Sequence, residues 1–236
     1  MKESFSFASF PGSVMKDKEQ FIKDNFNKLL PEGSHILLQY FISSGDIKIF
    51  KIGEEILKKG EPSDKFYWLI EGGVKSYRNG ELILHKNGDF LGISAAIQDM
   101  PILYNYSCIS ELSVLLELPT KKLHELMTRE PQAVFPIMQV IFKKAELTEQ
   151  NGVQIIQADS EGRLLQVLKY LISKYGLTED NSIPVELNSD DLALLSGSSR
   201  TSTYRWLKNF EEKGIIKRNG NKIKLINQKL FQKPLI

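Results

Sequence analysis

The chain has 236 residues and a mass of 26.9 kDa, with 42% apolar and 25% charged side chains, enough to bury the core of one large or two modest domains. A net charge of +2 means that any surface for nucleic acid must be local. The single cysteine, Cys108, excludes a disulfide framework and any cysteine-held zinc or iron–sulfur site within one chain, and it suits a reducing compartment.

Met1–Ser13 carries no apolar run behind basic residues, and no window approaches the ~18 uninterrupted apolar residues of a membrane span. A cytoplasmic protein without secretory leader or membrane contact is expected. Lys18–Leu30 places Phe21, Ile22, Phe26, Leu29 and Leu30 at helical spacing, and Pro31-Glu32-Gly33 stops that helix. From Ile47 to Leu118 short runs rich in Ile, Leu, Val and Tyr alternate with turn signals such as Lys59-Gly60-Glu61-Pro62, Glu71-Gly72-Gly73 and Lys86-Asn87-Gly88-Asp89. Asn79-Gly80 between two such runs predicts a hairpin, and the whole segment a compact barrel or jelly roll.

From Pro131 to Ala158 the period becomes helical. Val134, Met138, Ile141, Ala145, Thr148, Gly152 and Ile155 recur at spacings of four and three, the pattern of a seam between two long helices and hence of a homodimer. Ala145, Thr148 and Gly152 bury little area, so the C-terminal half of that seam is expected to be weak. Asp159-Ser160-Glu161-Gly162 breaks the pattern, Arg163–Gly176 is a further helix ended by its glycine, Thr178–Ser182 is a polar loop, and Ile183–Leu187 reads as a short strand.

Asn188-Ser189-Asp190-Asp191 is a helix start, combining capping side chains with acids beside the positive helix end. Gly197 supplies a left-handed turn, and a second helix begins near Ser199. Plotted at helical pitch, Thr203, Trp206, Leu207 and Phe210 share one face, with Trp206 as the anchor. Arg200, Thr201, Tyr204, Arg205 and Lys208 share the other. Ile215–Ile226 follows as a hairpin with Asn219-Gly220 at its tip. Between Gly197 and Lys224 there are eight basic and two acidic side chains, more positive charge than the whole chain carries. A winged helix-turn-helix laying its second helix in the major groove of double-stranded DNA fits helix, glycine turn, helix and basic wing together.

At these residues the sequence resembles the CRP/FNR family of bacterial transcription regulators. "FKIGEEILKKGEPSDKFYWLIEGGVK" and "GDFLG" are similar to the family's β-roll, "DSEGRLLQVLKYL" to its hinge, and "LALLSGSSRTSTYRWLKNFEEKGII" to its helix-turn-helix. The resemblance implies an α+β fold: an N-terminal helical segment and β-roll sensor over 1–130, a dimerisation helix over 131–158, and a winged helix-turn-helix over 159–236. It also implies DNA contacts. Arg200 and Arg205 match the family's reading arginines, Thr201 stands where the family has Glu, and Ser199 and Ser202 are expected to touch phosphates. Tyr204 and Lys208 complete the DNA-facing set.

The cyclic-nucleotide motif is absent. Ile93, Leu103 and Tyr104 stand at the family's ribose- and phosphate-binding positions, and only Thr148 of the adenine-contacting pair survives. Leucine cannot supply the charge-assisted donor that a buried phosphate needs, which argues against cAMP. These four residues, with Ile97 and Tyr106 and with Phe66 and Tyr67 nearby in sequence, outline a filled cavity or a pocket for another small-molecule effector. His85 alone does not make a haem site and reads as a surface or packing residue, and Cys108 reads as a buried, inert thiol.

No metal-ligand cluster, phosphate-cradling glycine loop or nucleophile–base set emerges, so no catalytic residues and no cofactor are expected. Surface loops such as Leu177–Ser182 are the candidate contact with RNA polymerase. The competing reading is a β-roll sensor or scaffold whose C-terminal head binds protein rather than DNA.

Overall fold

The computed structural model describes residues 17–31 and 34–231. Helix α1 (Lys18–Leu29) is opened by Asp17, whose carboxylate accepts from the Gln20 amide at 3.0 Å, and it ends ahead of Pro31. Glu32 and Gly33 lie outside the described residues. A helix the sequence reading did not anticipate, α2 (His35–Ser44), follows.

Eight antiparallel strands then form two four-stranded sheets. One is ordered β1 (Asp46–Lys51), β8 (Leu112–Pro119), β3 (Lys65–Glu71), β6 (Phe90–Leu91); the other β2 (Glu55–Leu57), β7 (Asn105–Cys108), β4 (Val74–Arg78), β5 (Glu81–His85). The central strand β3 is apolar almost throughout because both its faces are covered. Phe66, Trp68 and Ile70 join Ile22, Phe26, Leu37 and Phe41 of α1 and α2, whereas Tyr67 and Leu69 join Leu57, Leu91, Tyr106 and Leu115 between the sheets. The expected hairpin is present: Arg78 pairs with Glu81, and Asn79 and Gly80 both take positive φ, the requirement of a tight two-residue turn.

A short helix α3 (Ile93–Gln98) and helix α4 (Thr120–Arg129) flank the roll. The expected single helix from Pro131 is divided: Pro131–Val134 is a 3-10 turn, and helix α5 runs from Phe135 to Gln157. The break after α5 is also shorter than the sequence suggests. Asp159 caps helix α6 (Ser160–Tyr175) by accepting from the Gly162 amide at 2.7 Å, so Ser160, Glu161 and Gly162 are already helical.

The head consists of α6, α7 (Ser189–Ser196), α8 (Arg200–Glu212), the hairpin β9 (Ile216–Asn219) and β10 (Lys222–Leu225), and a terminal 3-10 turn. Its core gathers Val167, Leu171, Leu192, Leu207, Phe210 and Ile223. Ile183–Leu187 is not a strand. Ser182 bridges Lys224 and Val185 bridges Ser110, single contacts in opposite directions that leave no continuous ladder. The second of these seats the head on the β-roll. The Glu186 amide donates to Ile109 O at 2.7 Å and the Tyr175 hydroxyl to His85 O at 2.9 Å. Gly73 makes the approach possible, since a Cβ there would stand 2.6 Å from Val185 Cγ1.

Candidate nucleic-acid interface and β-roll cavity

Local chemistry builds the helix pair. Asn188 accepts from the Asp191 amide at 2.8 Å while Asp191 accepts from the Asn188 amide at 3.1 Å, a reciprocal cap that fixes the start of α7. Gly197 ends that helix at φ 58°, a left-handed value with little penalty only for glycine. Ser199 then caps α8 by accepting from the Ser202 amide at 3.1 Å.

Thr203, Leu207 and Phe210 are buried, and they turn Arg200, Thr201, Tyr204, Arg205 and Lys208 to solvent. Trp206 packs on the head core as expected, though less deeply than its neighbours on that face. It is half-buried, with the Arg205 guanidinium 5.0 Å from its ring, while Leu207 and Phe210 beside it are fully buried. The Ser199 oxygen is already engaged by the cap and donates to Ser202 Oγ at 3.0 Å, so of this pair the Ser202 hydroxyl has its proton to offer.

The wing is tied to α8. Arg218 donates to Glu211 at 2.8 Å, holding that carboxyl below its usual range, and lies 5.9 Å from the Tyr204 ring. Its tip is Gly220-Asn221, one residue beyond the expected Asn219-Gly220, because Asn219 still pairs with Lys222 and Gly220 alone takes positive φ. That is the two-residue turn with glycine first.

The second feature is a cavity of about 530 Å³ between the β-roll and α5. Ile93, Tyr104, Tyr106 and Thr148 line it, as do His85 and Lys144. Leu103 does not: it borders a separate surface hollow beside Lys59 and Arg78. Ile97, Phe66 and Tyr67 are also elsewhere, Ile97 and Phe66 on the α1–α2 core and Tyr67 between the sheets. His85, expected to be an ordinary surface or packing residue, is instead buried in a polar network. Lys144 Nζ stands 2.6 Å from its Nδ1 and 2.9 Å from Asp89, and Ser76 Oγ is 2.8 Å from its Nε2. A lysine ammonium can only donate, so Nδ1 accepts and Nε2 carries the proton toward Ser76. Burial, reinforced by Lys144 and Lys174, pushes the imidazole pKa well down. Cys108 is buried, with Sγ 3.1 Å from Ser113 Oγ.

A model of the cyclic nucleotide-binding domain matches residues 47–130, and one of the Crp-like helix-turn-helix domain matches residues 162–233. The chain belongs to the CRP/FNR family. It is a DNA-binding transcription regulator of the CRP type. It is 24% identical over 182 residues to the CRP-like cAMP-activated global transcriptional regulator of Mycobacterium tuberculosis, covering 74% of this chain and 81% of that one. To the cAMP-activated global regulator CRP of Salmonella typhimurium it is 21% identical over 193 residues, 79% and 92% of the two chains. Among solved structures, the c-di-GMP-responsive global regulator CLP of Xanthomonas campestris shares the fold at TM-score 0.64 and 17% identity, covering 82% of this chain and 99% of that one. A CRP-family transcriptional regulator of Thermus thermophilus does so at TM-score 0.64 and 17% identity, covering 80% and 98%.

In this CRP/FNR member the exposed apolar side of the long helix follows the expected seam only in part, sharing Met138 and Ala145 with it. Ile141 packs half-buried on the protomer's own core and Val134 lies in the 3-10 turn, whereas Phe135, Met138 and Phe142 are exposed at 63%, 38% and 58%. Ala145 and Thr148 are exposed, and the side chains of Gly152 and Ile155 lie outside the described residues. Sequence reasoning missed the Lys75–Asp191 ion pair at 2.6 Å, which joins β4 to the cap of α7, and the Arg200–Asp190 pair, also at 2.6 Å. Two adjacent carboxylates at a helix start, where one suffices for the cap, were the available signal. Among the described residues no helix is long and apolar enough to cross a membrane, and no three potential metal-ligating side chains cluster.

Proposed function

We propose that the protein works in the cytoplasm as a homodimer whose two α8 helices read a palindromic operator, with Arg200 and Arg205 as the principal base-reading side chains. The observation that carries this reading is the division of α8. Its apolar side is fixed in the head by Leu207 and Phe210, and its opposite side offers Arg200, Thr201, Tyr204, Arg205 and Lys208 to solvent. Arginine suits guanine O6 and N7, and Thr201 offers a methyl and a hydroxyl at a position where the family has a carboxylate, so a different base preference is expected there. Ser202 suits a phosphate.

The exposed Phe135, Met138, Phe142 and Ala145 lie at the three- and four-residue spacing of a helix–helix seam along α5. Pairing there gives two heads whose α8 helices meet half-sites about 34 Å apart. The cavity is a site for an effector other than cAMP. Ile93 and Tyr104 offer no cation for a phosphate, and Lys144 is already committed to Asp89. An effector there touches α5 directly through Thr148 and Lys144, and thereby shifts the equilibrium between arrangements of the heads about the joint at Ala158-Asp159.

Selection of bound duplexes from random DNA by the purified chain tests the reading. The expected product is a two-fold symmetric site whose affinity falls steeply with salt. Arg200→Ala and Arg205→Ala are each expected to cost about 1–3 kcal/mol of specific binding, measured by titration of the selected duplex. Enrichment of no sequence at all would overturn it.

A further inference from the structure

Arg200 is the first residue of α8 and Asp190 the second of α7, and the glycine turn brings the two together. The ion pair closes at Nε, 2.6 Å from Asp190 Oδ1, on the stem side of the guanidinium. The Arg200 side chain nevertheless stays 78% exposed and that of Asp190 46% exposed. Most of the Arg200 side chain therefore remains open to solvent while the pair is closed. The neighbouring Asp191 is already engaged: it closes the cap of α7 and takes the Lys75 ammonium. Asp190 has neither task.

A carboxylate on a surface meant for DNA is unfavourable toward phosphates. A flexible arginine, in turn, must lose rotamer freedom before it can make a two-pronged contact with a base. We infer that Asp190 is a positioning residue for sequence reading: it holds Arg200 by its stem so that the fork is preset for guanine, trading general attraction to DNA for discrimination among bases. This rests on the proposal that Arg200 reads a base.

The experiment uses the full chain and the duplex that it selects from random DNA, together with duplexes carrying each other base at each half-site position. Arg200→Ala identifies the position that Arg200 reads. Asp190→Asn is expected to lower the guanine preference at that position by about two- to tenfold, the cost of ordering one long side chain, to leave the other half-site positions unchanged, and to tighten binding to random duplex. Asp190→Glu, which keeps the charge, is expected to recover part of the preference. In the Arg200→Ala background, Asp190→Asn is expected to change no base preference further. A guanine preference that survives Asp190→Asn but is lost in Arg200→Ala overturns the positioning role and leaves the reading intact. A loss spread evenly over all positions also overturns it, since that marks damage to the head. Preferences unchanged in Arg200→Ala overturn the reading itself.

Discussion

His85 shows how a single residue acquires its character from distant parts of the chain. It sits on β5, yet what lowers its proton affinity comes from elsewhere: burial first, then Lys144 from α5 and Lys174 from α6, with Asp89 Oδ2 4.0 Å from Nδ1 and the Tyr106 ring 5.5 Å away. Burial and the two lysines keep the folded imidazole neutral. Below about pH 6.5 the unfolded chain binds a proton there that the folded chain refuses, so stability present above that pH is lost as pH falls, by up to about 1.4 kcal/mol per unit. His85→Gln keeps hydrogen-bonding groups without the titration, and it is expected to flatten this part of the profile. Thermal denaturation at about pH 7.5 and about pH 5.5 decides: equal losses in both proteins would exclude the assignment. None of this was legible in the sequence, where His85 is a lone histidine in a strand and Lys144 lies 59 residues on. The exposed side of α8 was legible, because helical pitch alone separates Arg200, Tyr204 and Arg205 from Leu207 and Phe210.

Helix α5 shows the same limit at the level of an element. Its apolar residues serve two neighbours. Ile137, Val140 and Ile141 pack on the β-roll, while Phe135, Met138 and Phe142 face outward. A single periodic stripe drawn through the sequence averages the two faces, which is why it passed through Ile141 and missed Phe142. The start of α6 moved for a similar reason: Asp-Ser-Glu-Gly looks like a break, but its Asp is a cap and its Gly a first-turn residue whose amide the cap engages. Phe142→Glu places a charge in the proposed seam and removes an aromatic from it. It is expected to weaken self-association roughly 100-fold, the equivalent of about 3 kcal/mol of lost apolar burial, with no loss of monomer fold because the side chain is 58% exposed in the protomer. Sedimentation over a dilution series measures it, and an unchanged dimer would place the seam elsewhere.

Across the whole molecule, the order of modules could be read from turn spacing and hydrophobic period, but their docking could not. The seat of the head depends on Lys75 meeting Asp191 across 116 residues, and on a glycine, Gly73, whose lack of a side chain matters only once Val185 arrives. Gly73→Ala is expected to cost about 1–3 kcal/mol by overpacking that contact. Val185→Ala in the same chain is expected to return part of it, so that the two effects are non-additive in thermal denaturation. Strict additivity would show that the seat does not depend on this contact.

Asp191 closes the first turn of α7 with one hand and grips the β-roll through Lys75 with the other. One side chain therefore serves both the cap of the helix that leads into the reader and the seat of the head on the β-roll, and substituting it is felt at both places.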